Sequence, residues 1–383
     1  MQHDLIVVGA GPVGASLARA ARGMRVALVS HERRVPPSAP GDAFDARVYA
    51  LSPGNVAFLR GIGVWDALPQ ERIAPVHAMR IFGDDGSSAI EFDAYRAGVA
   101  QLAWIVEDTV LQDALWGALD APVLAPAQCE SLTLEPERAV LALRDGRRLE
   151  GSLIVGADGA SSFVRKAAGI AADERGYGQS ALVANFTCEK THANTAYQWF
   201  QGGPVLALLP LPRQQVSMVW SLPCADAERI GRLEAEALCR EVQTASRNVL
   251  GALSLATPQK SYALRRLSAR RLVAPRVALA GDAGHVIHPL AGQGLNLGLQ
   301  DARALSDVLL GREPLRDPGD LGLLRRYERG RAEPILAMDA MVDGLFRLFG
   351  ARSSSAARLR NAGLNLTDRL PVLKNVLIRH AMS

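Results

Sequence analysis

The sequence predicts an α/β fold: a Rossmann-like domain, an inserted, mainly antiparallel β-sheet domain, and a C-terminal helical region. Three observations carry this. The chain opens on a short apolar run flush against glycines, then a helix and a second apolar run, "DLIVVGAGPVGASLARAARG…RVALV", which is a βαβ unit. Two later apolar runs end in the same way on Gly-Asp or Asp-Gly turns, "LIVGADGA" and "VALAGDAG". Between them, residues 180–265 hold several alternating strand patterns around one helical stretch, the mark of a separate covered sheet.

Taken in order, "DLIVVGA" is a buried parallel strand, and "GASLARAARG" is a helix with Gly23 at its C-terminal cap. "RVALV" is the second strand, and the three prolines of "RRVPPSAPGDAFDA" make a loop. "SPGNVAFLRGIGVWDAL" reads as one helix entered through Ser52-Pro53. "HAMRIFGD" and "SSAIEFDA", separated by "DGSS", form a hairpin. "EDTVLQDALWGAL" is an amphipathic helix, and "RAVLALRDGRRLEGSLIVGADGA" is two strands joined at Asp145-Gly146. "ALVANFTCE", "TAYQWFQ", "VLALLPL" and "QVSMVWSL" are the strands of the inserted sheet, with "DAERIGRLEAEALCREVQTAS" as its helix. "RVALA" returns to the first sheet, and from about Leu297 the chain is helical. The expected layout is therefore discontinuous. Segments 1–75, 98–178 and 273–345 form the first domain, 76–97 and 179–272 the inserted one, and 346–383 a helical tail.

The bulk numbers suit two packed domains: 383 residues, 49% hydrophobic and 21% charged. The net charge of +4 selects no partner class. With 5% aromatics and no basic stripe, no nucleic-acid partner is expected. The four cysteines are scattered without CxxC spacing, so neither a zinc ribbon nor a redox pair is expected. The N-terminus lacks a secretory pattern and no apolar run reaches the roughly 20 residues that span a bilayer, so a cytoplasmic protein is expected.

"GAGPVG" places Gly9, Gly11 and Gly14 between a strand and a helix. Gly9 permits the tight turn, Gly11 lets backbone N–H groups approach a pyrophosphate, and Gly14 lets the helix pack on the strand. The helix N-terminus beyond them, starting at Pro12, favours phosphate. An acid should follow about 20 residues on to bind ribose hydroxyls. The strand ends "VALVSHERR", so Ser30 stands at its tip and Glu32 is the candidate. Asp158 and Gly281-Asp282 stand at two further strand ends, where open α/β sheets bind ligands.

Together, "GAGPVG", "GADGASSFVR" and "GDAGHVIHPLAGQGLNLGLQDA" resemble the FAD-dependent aromatic hydroxylases of the para-hydroxybenzoate hydroxylase type. "DARVYALSPGNVAFLRGIGVWDAL" and "WIVEDTVLQDAL" extend the resemblance nearly end to end, and the tail "RNAGLNLTDRLPVLKNVLIRHAMS" narrows it to the ubiquinone-biosynthesis hydroxylases. The resemblance implies an FAD-binding Rossmann-like domain of the GR2 type and a substrate-binding sheet. Gly9, Gly11, Pro12 and Gly14 would hold the FAD pyrophosphate, with Arg47 and Gln112 also on the cofactor. Asp158 would serve both FAD and NAD(P)H, and Gly281-Asp282 the ribityl chain. The backbone of Pro289, Gly292, Gln293, Gly294, Leu295 and Asn296 would face the flavin, where a helix starting near Gln293 could stabilise the reduced ring by up to ~2 kcal/mol.

The implied activity is a monooxygenase one: NAD(P)H is the transient electron donor, and O2 is delivered through a flavin hydroperoxide to the ring of a polyprenyl phenol. A reductase or epoxidase of an isoprenoid lipid, or a non-catalytic flavin-binding subunit of a biosynthetic complex, remain alternatives. Asp282, His285 and His288 lack a further His or Cys cluster, so no metal is expected. His288-Pro289 is read as lining the flavin's reactive face, and Asp282→Ala is expected to lose FAD while His285→Ala keeps it. Tyr197, Trp199 and Trp220 are candidates for the pocket wall, with core packing as the other reading. Residues 345–383 carry seven Lys/Arg against Asp368. They leave open peripheral contact with the inner face of a membrane, a multi-enzyme complex, a homodimer, or a surface helix.

Overall fold

The computed structural model describes residues 2–34, 43–83, 89–289 and 292–350, the last six as backbone alone. The predicted tail 346–383 therefore lies almost entirely outside the described residues, as do Leu290 and Ala291 of the third glycine motif.

Among the described residues the first sheet centres on Gln2–Val8, which pairs in parallel with Val26–Val29 on one side and Arg148–Gly156 on the other. Val277–Leu279 extends it in parallel beyond Arg148–Gly156. The strand Gln2–Val8 alternates strictly in its packing. Leu5 and Val7 pack with Leu17 of helix Pro12–Ala20 and with Leu305 and Leu309 of helix Gly294–Leu310. Ile6 and Val8 pack on the opposite face with Ile154, Val164 and Leu279. Period-two alternation puts successive side chains on opposite faces, so both faces of this strand are core. Each fully buried Leu or Ile contributes roughly 1.5–3 kcal/mol.

The second sheet runs in the order His285–Val286, Lys260–Ala269, Ala172–Cys188, Gln215–Pro223, Val205–Leu211, Thr195–Phe200, Ala78–Phe82, Ala89–Asp93. All its neighbours are antiparallel except Thr195–Phe200 with Ala78–Phe82. Strand Ala172–Cys188 is continuous for 17 residues and runs through the boundary expected at 178, so the inserted sheet starts at Ala172. The pairing of His285 with Ser268 also carries the third glycine motif onto the edge of this sheet. Tyr197, Trp199 and Trp220 belong to the apolar core under it, against the two covering helices. They do not border the cleft between the sheets, and their contacts are those of core packing.

Two expected helices are each broken. "DAERIGRLEAEALCREVQTAS" forms Cys224–Gly231 and Ala235–Ala245. Gly231 weakens a helix interior, and Gln259 Nε2 donates to the carbonyls of Gly231 and Leu233, satisfying the chain at the break. The helix after Ser52 stops at Gly61, because Gly63 takes φ +76°, and the rest is a single turn at Trp65–Ala67. Its entry is as expected: Ser52 Oγ accepts from Asn55 N at 3.3 Å.

Candidate functional site

The strand ends of the first sheet and one face of the second enclose a cleft of about 1880 Å³. Single-ligand pockets run to roughly 1,000 Å³, so this cleft has room for more than one molecule.

The first wall is the glycine turn after Val8. Gly9 has φ +104°, and a Cβ there would stand 2.2 Å from Ala157 O. A Cβ on Gly14 would stand 1.9 Å from Gly9 O, so this glycine is dictated by helix-on-strand contact and does not itself line the cleft. Gly11 differs: a Cβ there would meet nothing within 4 Å, and Gly11 and Pro12 border the cleft. Trp116 Nε1 donates to Ala10 O at 2.9 Å and fixes the turn. Glu32 and Gln112 border the cleft at the same end. Glu32 is exposed, and Gln112 donates to Asp108 Oδ1 at 2.7 Å.

The Asp158 turn forms the next wall. Its carboxylate accepts from Ser162 Oγ at 2.5 Å, Phe163 N at 2.7 Å and Val164 N at 3.1 Å. It therefore caps the short helix Phe163–Ala167 while bordering the cleft. Arg165, buried, donates to Ala160 O and Ala283 O, both at 2.8 Å, and ties this turn to the Gly281–Ala283 turn.

Asp282 faces the cleft with solvent access above it and protein walls around it. No hydrogen bond from another described residue reaches its carboxylate. Burial raises its pKa, opposed by the charges of His285, Arg47 and Arg265. The Arg47 guanidinium stands 5.4 Å from the Tyr49 ring centre and 6.0 Å from that of Tyr262, reaching from strand Val48–Leu51 of a separate three-stranded sheet to the second sheet. Tyr49 Oη donates to Asp108 Oδ1 at 2.9 Å, and burial pushes its pKa up.

Of the third motif, Pro289, Gly292, Gln293, Gly294 and Leu295 border the cleft, and helix Gly294–Leu310 starts there, with Gln293 at its N-terminal flank. Three expected site residues are placed elsewhere. His288 is fully buried and turned under the second sheet, with Nε2 3.1 Å from Gln179 Oε1 and its ring edge-on to Tyr177 at 4.7 Å. It does not line the cleft, and burial pushes its pKa down to about 4, so it is neutral at pH 7. Asn296 points to the opposite side of its helix and accepts from Ser52 N at 3.0 Å and Asn55 Nδ2 at 2.9 Å, holding the helix that starts at Pro53. Gly281 has φ +61° and packs on Val13 beneath the cleft surface, so its part is to turn the chain into Asp282.

Sequence reasoning missed the group that holds this turn. Asp301 Oδ2 accepts from Gly281 N at 2.9 Å and from His285 Nε2 at 2.6 Å, and Oδ1 accepts from Arg331 Nε at 2.6 Å. All three side chains are buried. Burial opposes the charge of His285, but the Asp301 carboxylate outweighs it and raises its pKa. The signal was present: Leu297, Asp301 and Leu305 recur at four-residue spacing, so Asp301 interrupts the apolar stripe of its helix. It missed Arg72 and Glu107 in the same way, a buried pair at 2.6 Å in which Glu107 also accepts from Asp45 N.

The sequence profile described as an FAD binding domain matches residues 2–340. The chain belongs to the FAD-dependent monooxygenases. It is 34% identical over 384 residues to ubiquinone hydroxylase UbiL of Rhodospirillum rubrum, covering 99% of this chain and 89% of that one. It is 32% identical to 3-demethoxyubiquinol 3-hydroxylase of Escherichia coli, covering 99% and 98%. Among solved structures, PqsL of P. aeruginosa in complex with 2-aminobenzoylacetate superposes with a TM-score of 0.79 at 25% identity, covering 95% of this chain and 99% of that one. HpxO of Klebsiella pneumoniae, complexed with FAD and uric acid, shares the fold, with a TM-score of 0.76 at 18% identity over 99% and 97%.

FAD is the cofactor of this monooxygenase, and its residues fit that group. The open space over Gly11 is a cradle that a Cβ would fill, at a helix N-terminus suited to phosphate. The unpartnered Asp282 carboxylate is an acceptor suited to the hydroxyls of a ribityl chain.

Proposed function

We propose that the chain hydroxylates the aromatic ring of a polyprenyl phenol in ubiquinone biosynthesis, with NAD(P)H as electron donor. The observation that carries this is the cleft's asymmetry. One wall is backbone and polar groups from three glycine turns, while the facing sheet presents Ala181, Val183, Val205, Ala207 and Val219. A ring with an apolar tail matches that floor, and the similarity to two quinone-ring hydroxylases supports the same substrate class.

Bound FAD supplies electron storage and oxygen activation. The chain's own residues position and enclose. Gly11 and Pro12 take the pyrophosphate at the helix N-terminus, and Glu32, Arg47 and Gln112 serve the adenosine and flavin ends. Asp282 accepts from the ribityl hydroxyls. Pro289 and the backbone of Gly292 to Leu295 would hold the ring, where the helix N-terminus favours negative charge. Asp158 acts by holding its turn through the capped helix. Gly14 and Gly281 act through packing, Asn296 through its hydrogen bonds to Ser52 and Asn55, and His288 through its contact with Gln179.

The test is oxygen uptake and NAD(P)H oxidation by FAD-loaded protein with and without a short-chain 2-prenylphenol. Complementation of strains each lacking one quinone-ring hydroxylation accompanies it. Ring-stimulated oxygen uptake with a hydroxylated product is expected. A protein that consumes neither and complements no strain overturns the reading. Among the described residues no helix is long and apolar enough to cross a membrane. The basic composition of residues 345–383 supports peripheral contact with an anionic surface, and unchanged liposome binding after their deletion overturns that.

A further inference from the structure

Strand register lets the cleft floor be read in rows. Tyr262, Ala181, Ser221, Val205 and Phe200 are successive cross-strand partners, so their side chains leave one face at intervals of about 5 Å. All five border the cleft. In the next row Val183, Val219 and Ala207 occupy the middle positions. The centre of the floor is thus Ala and Val, with Ser221 as the exception.

Ser221 is only 3% exposed, yet it borders the cleft, and its hydroxyl has no hydrogen-bond partner among the described residues. Ser221 therefore sets a polar hydroxyl at the centre of a floor of Ala and Val, where it is available to a ligand oxygen. Its position is central. On one side Val205 packs with Ile287 and Leu297, which flank the glycine loop. On the other, Tyr262 carries the Arg47 guanidinium over its ring. Ser221 therefore stands between the loop that meets the flavin and the arginine over the Tyr262 ring.

We propose that the Ser221 hydroxyl binds an oxygen substituent on the substrate's aromatic ring, while the ring and its tail lie on the neighbouring Ala and Val side chains. A serine hydroxyl can accept from a phenol O–H or donate to its oxygen, so it recognises the ring in either protonation state. A site built to hydrogen-bond an oxygen discriminates against the analogue that lacks it, because its own polar group is then left unpaired. The proposal rests on the hydroxylase reading and adds the residue that sets the ring's orientation.

The test is a calorimetric titration of the full-length, FAD-loaded protein with 2-(3-methylbut-2-enyl)phenol and with (3-methylbut-2-enyl)benzene, in wild type, Ser221→Ala and Ser221→Thr. Ser221→Ala should weaken the phenol about threefold to tenfold and leave the hydrocarbon unchanged, with Ser221→Thr recovering part of the phenol's affinity. Equal effects on both probes, or none on either, overturn the proposal. If wild type binds neither probe, the hydroxylase reading falls and takes the proposal with it. If wild type binds the phenol and Ser221→Ala binds it equally well, only the proposal falls. Retention of FAD by Ser221→Ala, read from its visible absorbance, confirms that the variant is folded.

Discussion

His285 Nε2 and Asp301 Oδ2 stand 2.6 Å apart, both side chains buried, and the other oxygen of the same carboxylate holds Arg331 at 2.6 Å. Arg331, the His285 ring and the Gly281 N–H converge on one buried acid, so Asp301 fixes the turn that presents Asp282. Removing one member of a buried charge group leaves the others uncompensated, at a cost of about 3–5 kcal/mol. Asp301→Asn should lose about that much unfolding free energy and also weaken FAD, measured by urea denaturation of the apoprotein and by FAD titration. Arg331→Met should lose stability with a smaller effect on FAD, because the Gly281 anchor survives. His285→Ala, which the sequence alone expects to keep FAD, should lose stability as well. Equal FAD affinity in wild type and Asp301→Asn would show that the turn holds itself.

The glycines of the first motif separate into steric and ligand-directed ones. A Cβ on Gly14 would collide with Gly9 O, whereas one on Gly11 would enter open space. Gly14→Ala should destabilise the apoprotein by about 3 kcal/mol. Gly11→Ala should change apoprotein stability by no more than about 1 kcal/mol, the scale of an N-cap change, yet sharply reduce FAD affinity. Thermal unfolding with and without FAD distinguishes the two. A Gly11→Ala protein that binds FAD normally removes Gly11 from the pyrophosphate site.

Much of this site was legible in the sequence because glycine turns at strand ends are a local pattern, fixed by residues a few positions apart. Gly9, Gly11, Asp282 and the helix start at Gln293 all fall where local spacing puts them. What stayed hidden depends on partners far along the chain. The direction of Asn296 is set by Ser52 and Asn55, and that of His288 by Gln179 and Tyr177, more than 100 positions away. The unpaired hydroxyl of Ser221 is visible only once the register of four strands is known. The broken helix near Gly231 depends on Gln259, which supplies the hydrogen bonds at the gap.

Asp282 should behave as a cofactor ligand that is unfavourable in its absence. Burial raises its pKa, so the folded apoprotein solvates the Asp282 carboxylate less well than the unfolded chain does. Asp282→Asn should therefore raise the apoprotein's unfolding midpoint at pH 7. It should also weaken FAD about tenfold to a hundredfold, the range for hydrogen bonds to a charged group. Fluorescence titration of FAD and urea melts of the apoprotein read the two effects separately. A loss of apoprotein stability would mean that Asp282 serves the fold instead.

His288 makes a pH prediction with a definite sign. Its pKa falls from the ordinary 6.5 to about 4 because burial disfavours the charged ring. Between those values the unfolded chain binds a proton that the folded chain does not, so stability declines as pH drops from 6.5 towards 4. Most carboxylates titrate below this window in the unfolded chain, which leaves histidines as its main source from pH 6.5 to about 4.5. Two further histidines, His3 and His192, are shifted down by burial and contribute in the same direction, whereas His285 is shifted up. The comparison must therefore be between variants. His288→Gln should retain more of its pH 7 stability at pH 5 than wild type does, measured by urea denaturation at both values. If the two proteins lose stability in parallel, the His288 ring is protonated in the folded state and its burial does not control its charge.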